Sequence, residues 1–216
     1  AGTNFGNVAL NDIIEPAAAT SNYVVPHRFT FRMNYRNKFF GDNETRFSLY
    51  SFVQEGRPQS YVMGSQDLEG DGFFGRHLLY VPTGMDDPNV VFADSFDFDA
   101  FEAFRRREGL STGLQKRNEE FSDWSYRMDL RVDQEFPIFN DVKGVGYLKI
   151  YNVLNMLNDD WGVQTEPQFF SVQVVDSSID EQGRYVFESF NDGRDINNLR
   201  EERSLWEVRL GFSVRF

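Results

Sequence analysis

From Trp206 to Phe216 the chain alternates without a break. Trp206, Val208, Leu210, Phe212, Val214 and Phe216 are apolar, and between them stand Glu207, Arg209, Gly211, Ser213 and Arg215. Successive side chains of a strand point to opposite faces, so a period of two demands an extended strand with one apolar and one polar side. A helix at 3.6 residues per turn would scatter these apolar residues around its whole circumference.

Four upstream segments repeat the pattern. In HRFTFRMNYRNK, Phe29, Phe31, Met33 and Tyr35 oppose Arg28, Thr30, Arg32, Asn34 and Arg36. In TRFSLYSFVQ, Phe47, Leu49 and Val53 share a face that Ser51 interrupts, while Arg46, Ser48, Tyr50 and Gln54 share the other with Phe52. DWSYRMDLRVDQEF sets Trp124, Tyr126, Met128, Leu130, Val132 and Phe136 on one side, with Gln134 out of pattern. Its other side carries Ser125, Arg127, Asp129, Arg131, Asp133 and Glu135. In GYLKIYNVLNML, Leu148, Ile150, Leu154 and Met156 oppose Tyr147, Lys149, Tyr151 and Asn155.

Length separates these runs from the strands of a half-buried soluble sheet, which alternate in the same way. They hold about 10–14 residues, against about 5–6 in a typical soluble strand. Thirteen residues at about 3.3 Å each, tilted by about 40°, climb roughly 33 Å, enough for a hydrocarbon core. The connections alternate too. FFGDNE (39–44) and IFNDVKG (138–144) read as tight turns, whereas 57–121 and 158–203 are long. Short turns on one side and long loops on the other are the layout of an outer-membrane barrel. Phe39, Phe40, Phe136 and Phe139 fall near the short turns, and Trp124, Trp161 and Trp206 near the long loops, as two interfacial girdles would. Within the loops, DFDAFEAFRRREG predicts a short amphipathic helix, capped by Asp97 or Asp99 and ended by Gly109. QFFSVQVV and RYVFESF predict a hairpin around DSSIDEQG.

Composition narrows the functional classes. Acidic residues outnumber basic ones 34 to 22, and a net charge of −12 repels nucleic-acid phosphates, which argues against DNA or RNA as a partner. The chain has no cysteine, which removes disulfides and thiolate metal sites. Phe, Tyr and Trp make up 16% of the residues, a bias that favours strands and membrane interfaces. A mean hydropathy of −0.51 fits a water-soluble globule, but it fits a barrel wall with one apolar face equally well.

Motifs for chemistry are sparse. His27 opens a strand, His77 falls in a loop, and the two lack the spacing of a ligand pair. No nucleophile elbow, zincin or P-loop motif occurs, so no catalytic, cofactor or metal residues are assigned and no enzymatic activity is expected. DLEGDG (Asp67, Glu69, Asp71, Gly72) looks like half of a calcium loop, but Leu78 stands where the closing glutamate belongs. The strongest functional surface is the charged face Arg127, Asp129, Arg131, Asp133 and Glu135. These side chains cannot face lipid and are expected to face a watery lumen or a polar plug, pairing along and across strands.

The ending SLWEVRLGFSVRF resembles the last strand of TonB-dependent outer-membrane receptors. YRMDLRVDQEFPIF followed by LKIYNVLNMLND resembles their penultimate hairpin, with Asn152 and Asn155 after the strand. HLLYVPTGMDD and LQKRNEEFSDW are similar to the Oar-like subgroup. The resemblance runs from about Tyr23 to Phe216. It implies an all-β fold: an antiparallel transmembrane barrel segment of about five to seven strands in a wall of about 22. The long extracellular loops would carry a short helix and a hairpin. The chain would be the C-terminal part of a longer receptor in a Gram-negative outer membrane, with plug and N-terminal domain supplied elsewhere. Implied partners are outer-membrane lipid, the plug and remaining strands, TonB acting through the N-terminal part, the barrel assembly machinery and a transported ligand. Trp206, Val208, Leu210, Phe212, Val214 and Phe216 would form the assembly signal. Two other classes compete: a passive or adhesive outer-membrane barrel, and a soluble β-sandwich binding module.

Overall fold

The computed structural model describes residues 8–64, 66–68, 70, 72–139, 142–167, 171–191 and 197–215. The chain opens its regular structure with β1 (Arg28–Phe40) and β2 (Asn43–Gln54). Five short strands follow: β3 (Pro58–Gln59), β4 (Tyr61–Met63), β5 (His77–Leu78), β6 (Tyr80–Val81) and β7 (Val90–Phe92). Helix α1 (Phe98–Arg107) leads to β8 (Gly113–Leu114) and β9 (Glu120–Phe121). Two long strands, β10 (Ser125–Phe139) and β11 (Val142–Tyr151), precede α2 (Val153–Leu157). The rest comprises β12 (Thr165–Pro167), β13 (Val172–Ile179), β14 (Tyr185–Phe190), β15 (Asn197–Leu199), α3 (Glu201–Ser204) and β16 (Glu207–Arg215). Strand exceeds helix by 48% to 10%, which makes the chain all-β as the alternation predicts.

The chain forms two compact units. One comprises Val25–Gly56, Asp123–Thr165 and Leu199–Phe216; the other comprises Ala1–Val24, Arg57–Ser122 and Glu166–Asn198. We call them the sheet unit and the core unit.

All five alternating segments meet in the sheet unit, in the order β1-β2-β10-β11-β16 with every neighbour antiparallel. Phe40 pairs with Asn43 across Gly41 and Asp42, where Gly41 takes the left-handed φ of +60° that a tight turn requires. Phe139 likewise pairs with Val142 across Asn140 and Asp141, which lie outside the described residues. In both hairpins the register shifts just before the turn, between Asn37 and Phe40 and between Pro137 and Phe139. Among the described residues the sheet is open: β1 and β16 each have one neighbour.

The two long connections hold more than the helix and hairpin expected of them. The stretches 57–121 and 158–203 contain most of the core unit, which has a hydrophobic interior of its own. Its main sheet runs β5-β4-β13-β14-β7 and is mixed: β13 pairs parallel with β4, and β14 parallel with β7. Local alternation could not reveal this, because parallel pairing needs a long crossover and here joins strands far apart in sequence. The expected hairpin is present as β13–β14. Its turn is held by Asp180, whose Oδ1 accepts the amides of Gln182 (2.9 Å) and Arg184 (2.8 Å). Residues 168–170, which open QFFSVQVV, lie outside the described residues. The expected helix is α1. Asp97 caps it, accepting the Ala100 amide at 2.9 Å, and Gly109 follows its end at φ +70°. Its face carries Phe101 and Phe104 into a cluster with Phe96, Phe187, Met63, Leu79 and Val174. Ring centroids 5.4–6.1 Å apart link Phe96, Phe101 and Phe187 to Phe92 and Phe190.

Candidate functional site

The register of the long sheet sorts its side chains into two continuous faces. Across the strands, Met33 faces Leu49, Leu49 faces Leu130, Leu130 faces Ile150 and Ile150 faces Val208. Phe29, Phe31, Tyr35, Val53, Leu210 and Phe212 lie on the same side, at 40–79% exposure. Gln134 is the residue out of pattern on that face, and the register explains it. It stands opposite Thr45, whose Oγ1 donates to Gln134 Oε1 at 2.5 Å, so two misplaced polar groups satisfy each other. Gly144 and Gly146 interrupt the same face on β11, and aromatic rings fill the space. Phe136 and Phe212 stack with centroids 5.3 Å apart and planes 20° apart, and a Cβ on Gly144 would lie 2.6 Å from Phe136.

The polar face holds every charged candidate. Arg127 donates to Asp129 at 2.8 Å and Arg131 Nε to Asp133 at 3.0 Å, both along β10. Glu135 accepts from Lys143 across the hairpin at 3.3 Å and from the Glu44 amide at 3.3 Å. The expected pairing along and across strands is therefore present. Arg36 stands directly opposite Arg46, and Glu44 relieves that repulsion at 3.9 Å from Arg36 and 2.9 Å from Arg46.

Tyrosines on this face hold cations, a feature the charge pattern alone did not suggest. Arg32 lies 5.1 Å above Tyr50, Arg131 4.2 Å above Tyr147, and Arg28 5.0 Å above Phe52. Tyr151 carries Arg127 at 5.4 Å, Lys149 at 3.8 Å and Arg209 at 4.8 Å. The signal was present as Arg or Lys and Tyr recurring at one parity on neighbouring strands, and only the register turns it into contacts. Gly211 belongs to the same arrangement: the Tyr147 ring covers it so closely that a Cβ would meet the ring at 2.3 Å.

At the end of β11 the structure corrects the alternation. The strand stops at Tyr151, and Asn152 adopts a left-handed φ of 51° that turns the chain into α2. Leu154 and Met156 therefore leave the strand face to which they were assigned. Asn152 is fully buried. Its amide donates to Asp129 Oδ1 at 3.0 Å, and its Nδ2 donates to the carbonyls of Gly162 (3.0 Å) and Ser204 (2.5 Å). Asn155 Nδ2 donates to the Asp159 carbonyl at 2.9 Å. Asn152 thus ties the end of β11 to the chain approaching β16, while Asn155 closes the turn after α2.

Val208, Leu210, Phe212 and Val214 share the apolar face of β16, and Trp206 immediately precedes it. Phe216 lies outside the described residues. His27 stacks on Trp124 with planes 3° apart, just before β1. His77 is buried in β5, not in a loop, with its Nε2 3.0 Å from the Tyr185 hydroxyl. Of the calcium-like loop, Asp67 Oδ2 accepts the Gly72 amide at 2.7 Å, while Glu69 and Asp71 lie outside the described residues. Among the described residues no three His, Asp or Glu side chains converge on a metal position. No helix there is long and apolar enough to cross a membrane.

In the core unit the quoted motifs do structural work. Asp87 of YVPTGMDD accepts the Thr83 amide at 2.8 Å, the Asn89 amide at 2.9 Å and the Tyr80 hydroxyl at 3.1 Å. These bonds hold its carboxyl below the usual range although burial opposes them. Asn118 of LQKRNEE is buried at φ 56°, donating to the Thr20 carbonyl (2.6 Å) and to Asn22. The Tyr61 hydroxyl donates to Glu108 at 2.8 Å. Burial pushes the nearby Glu120 carboxyl up, and the charges of Glu119 and Glu108 push it further.

The site is therefore a polar sheet face built from ion pairs and cation-bearing rings, backed by an apolar face. Comparison with family models, with curated proteins and with solved structures finds no match to this chain.

Proposed function

We propose that the chain is part of the wall of a bacterial outer-membrane β-barrel, of the TonB-dependent receptor type and its Oar-like subgroup. It takes part in energised ligand uptake when the receptor is complete. The observation that carries this reading is the two-faced sheet. Strands of 9–15 residues combine an exposed apolar face with an ionic one. A contiguous apolar surface of this kind is rare on proteins that live in water, and hydrocarbon is a solvent that covers it along its whole length. Phe39, Phe40 and Phe139 at the hairpin end, with Trp124 and Trp206 at the other, suit two interfaces. The free edges of β1 and β16 would be costly in lipid, which argues for further strands completing the wall. On this reading the polar face lines the lumen and meets a plug, TonB acts through another part of the receptor, and the barrel assembly machinery reads the β16 pattern.

The test is quenching of tryptophan fluorescence by brominated lipids after expression of the full receptor gene. Quenching of Trp124 and Trp206 in an outer-membrane fraction is expected. A monodisperse, detergent-free soluble chain with no quenching would sink the reading and favour a soluble binding module. The independently packed core unit suits a second reading, a passive or adhesive barrel whose connections bind another surface. A receptor gene without a plug would favour it.

A further inference from the structure

We infer that the polar face of the long sheet carries a binding site for a doubly negative oxyanion, in the hollow between β1, β2, β10 and β11. The hollow has a volume of about 470 Å³ and is lined by Arg32, Asn34, Ser48, Tyr50, Arg131 and Lys149, with Asp129 at its wall. That size suits a small ligand.

The charge balance carries the argument. Asp129 is already engaged, by Arg127 at 2.8 Å and by the Asn152 amide at 3.0 Å. Arg131 is neutralised by Asp133. Arg32 and Lys149 remain, and among the described residues neither has a carboxylate within ion-pair distance. Aromatic rings hold them instead: Tyr50 beneath Arg32 and Tyr151 beneath Lys149. Stacking fixes a guanidinium but leaves its in-plane N–H groups free to donate, and an ammonium seated on a ring keeps donors directed away from it. Two positioned cations with unused donors therefore flank one hollow, in a chain whose net charge is −12. Asn34 and Ser48 add neutral donors. A planar fork and a point charge lining one hollow match a phosphate-class oxyanion, which accepts on several oxygens at once. This goes beyond reading the face as a barrel wall and holds whatever covers the opposite side of the sheet.

The experiment is calorimetric titration of the full chain, in zwitterionic micelles, with inorganic phosphate at a mildly alkaline pH, where it is the dianion. Saturable binding is expected. Arg32→Gln and Lys149→Gln should each weaken it by about tenfold or more, the scale of one charge-assisted hydrogen bond. Arg36→Gln removes a cation already paired with Glu44 on the same face and should leave affinity within about twofold. Absence of saturable binding by the folded chain overturns the inference, and so does an equal loss from Arg36→Gln. If a variant loses its near-UV circular dichroism, the unaltered chain decides. Sulfate competing well below the chloride concentration of equal ionic strength supports a built site, and equal effects of the two salts overturn it. Anionic phospholipid added to the micelles identifies the source of the oxyanion. Displacement assigns the site to a lipid headgroup and its absence to a soluble phosphate compound, and either outcome retains the site.

Discussion

Phenylalanine behaves in opposite ways in the two units. In the core unit, Phe101 and Phe187 are completely buried and meet edge to face. In the sheet unit, Phe29, Phe31, Phe40 and Phe212 stand more than half exposed. The residue is the same and the local structure is extended in most cases, so neither propensity nor hydropathy separates them. The difference lies in what each unit packs against. The core unit folds α1 over its sheet and completes an interior. The sheet unit leaves one whole face for something outside itself, and the reading of a barrel wall follows from that imbalance.

Mutations can break or sharpen this contrast. The largest effect is expected from Phe101→Ala, which should destabilise the core unit by about 3–5 kcal/mol in denaturant titration. Phe31→Ala should change the same measurement by less than about 1 kcal/mol, because its ring is already exposed and loses little burial. Equal losses would erase the distinction between the units. Next is Leu210→Arg, on the apolar face of β16. If that face meets lipid, bilayer-folded protein should lose about 2–4 kcal/mol; if it meets water, solubility should rise with no such loss.

Asn152→Ala is expected to cost about 2–3 kcal/mol, since it removes two buried hydrogen bonds and leaves a left-handed residue without its amide. The loss should register in the sheet unit's transition alone, read by hydrogen exchange at the end of β11. The smallest effect concerns Glu120. Its folded carboxyl is raised, so the folded chain holds that proton to higher pH than the unfolded one, and stability falls as pH rises through the raised value. Glu120→Gln should therefore melt at a higher temperature than the parent at pH 7. The two should converge at pH values below an ordinary carboxylate. A gap that widens in acid would contradict the sign.

Much of the sheet unit was legible because strand periodicity is a local property. Each of the five segments carried its own face assignment, and Gly41 and Asp42 marked a hairpin by turn chemistry alone. The helix α1 was legible for the same reason, with Asp97 before it, Gly109 after it and three phenylalanines at helical spacing. Leu154 and Met156 were misassigned because they continue the apolar parity, while the left-handed turn at Asn152 is stabilised by Gly162 and Ser204, distant in sequence. His77 read as a loop residue because β5 is two residues long and is held by β4 on one side and Leu10 on the other, both distant in sequence.

The sequence by itself determined the five long strands, the tight hairpins and the capped helix, since each depends on neighbours within a few residues. Tertiary structure alone decided the rest: the parallel pairings of the core unit, the seating of cations on Tyr50, Tyr147 and Tyr151, and the hollow between Arg32 and Lys149. Those features depend on register between strands that the chain separates by as much as Tyr61 from Val172. Register is set by the whole sheet closing its hydrogen bonds and packing its faces at once.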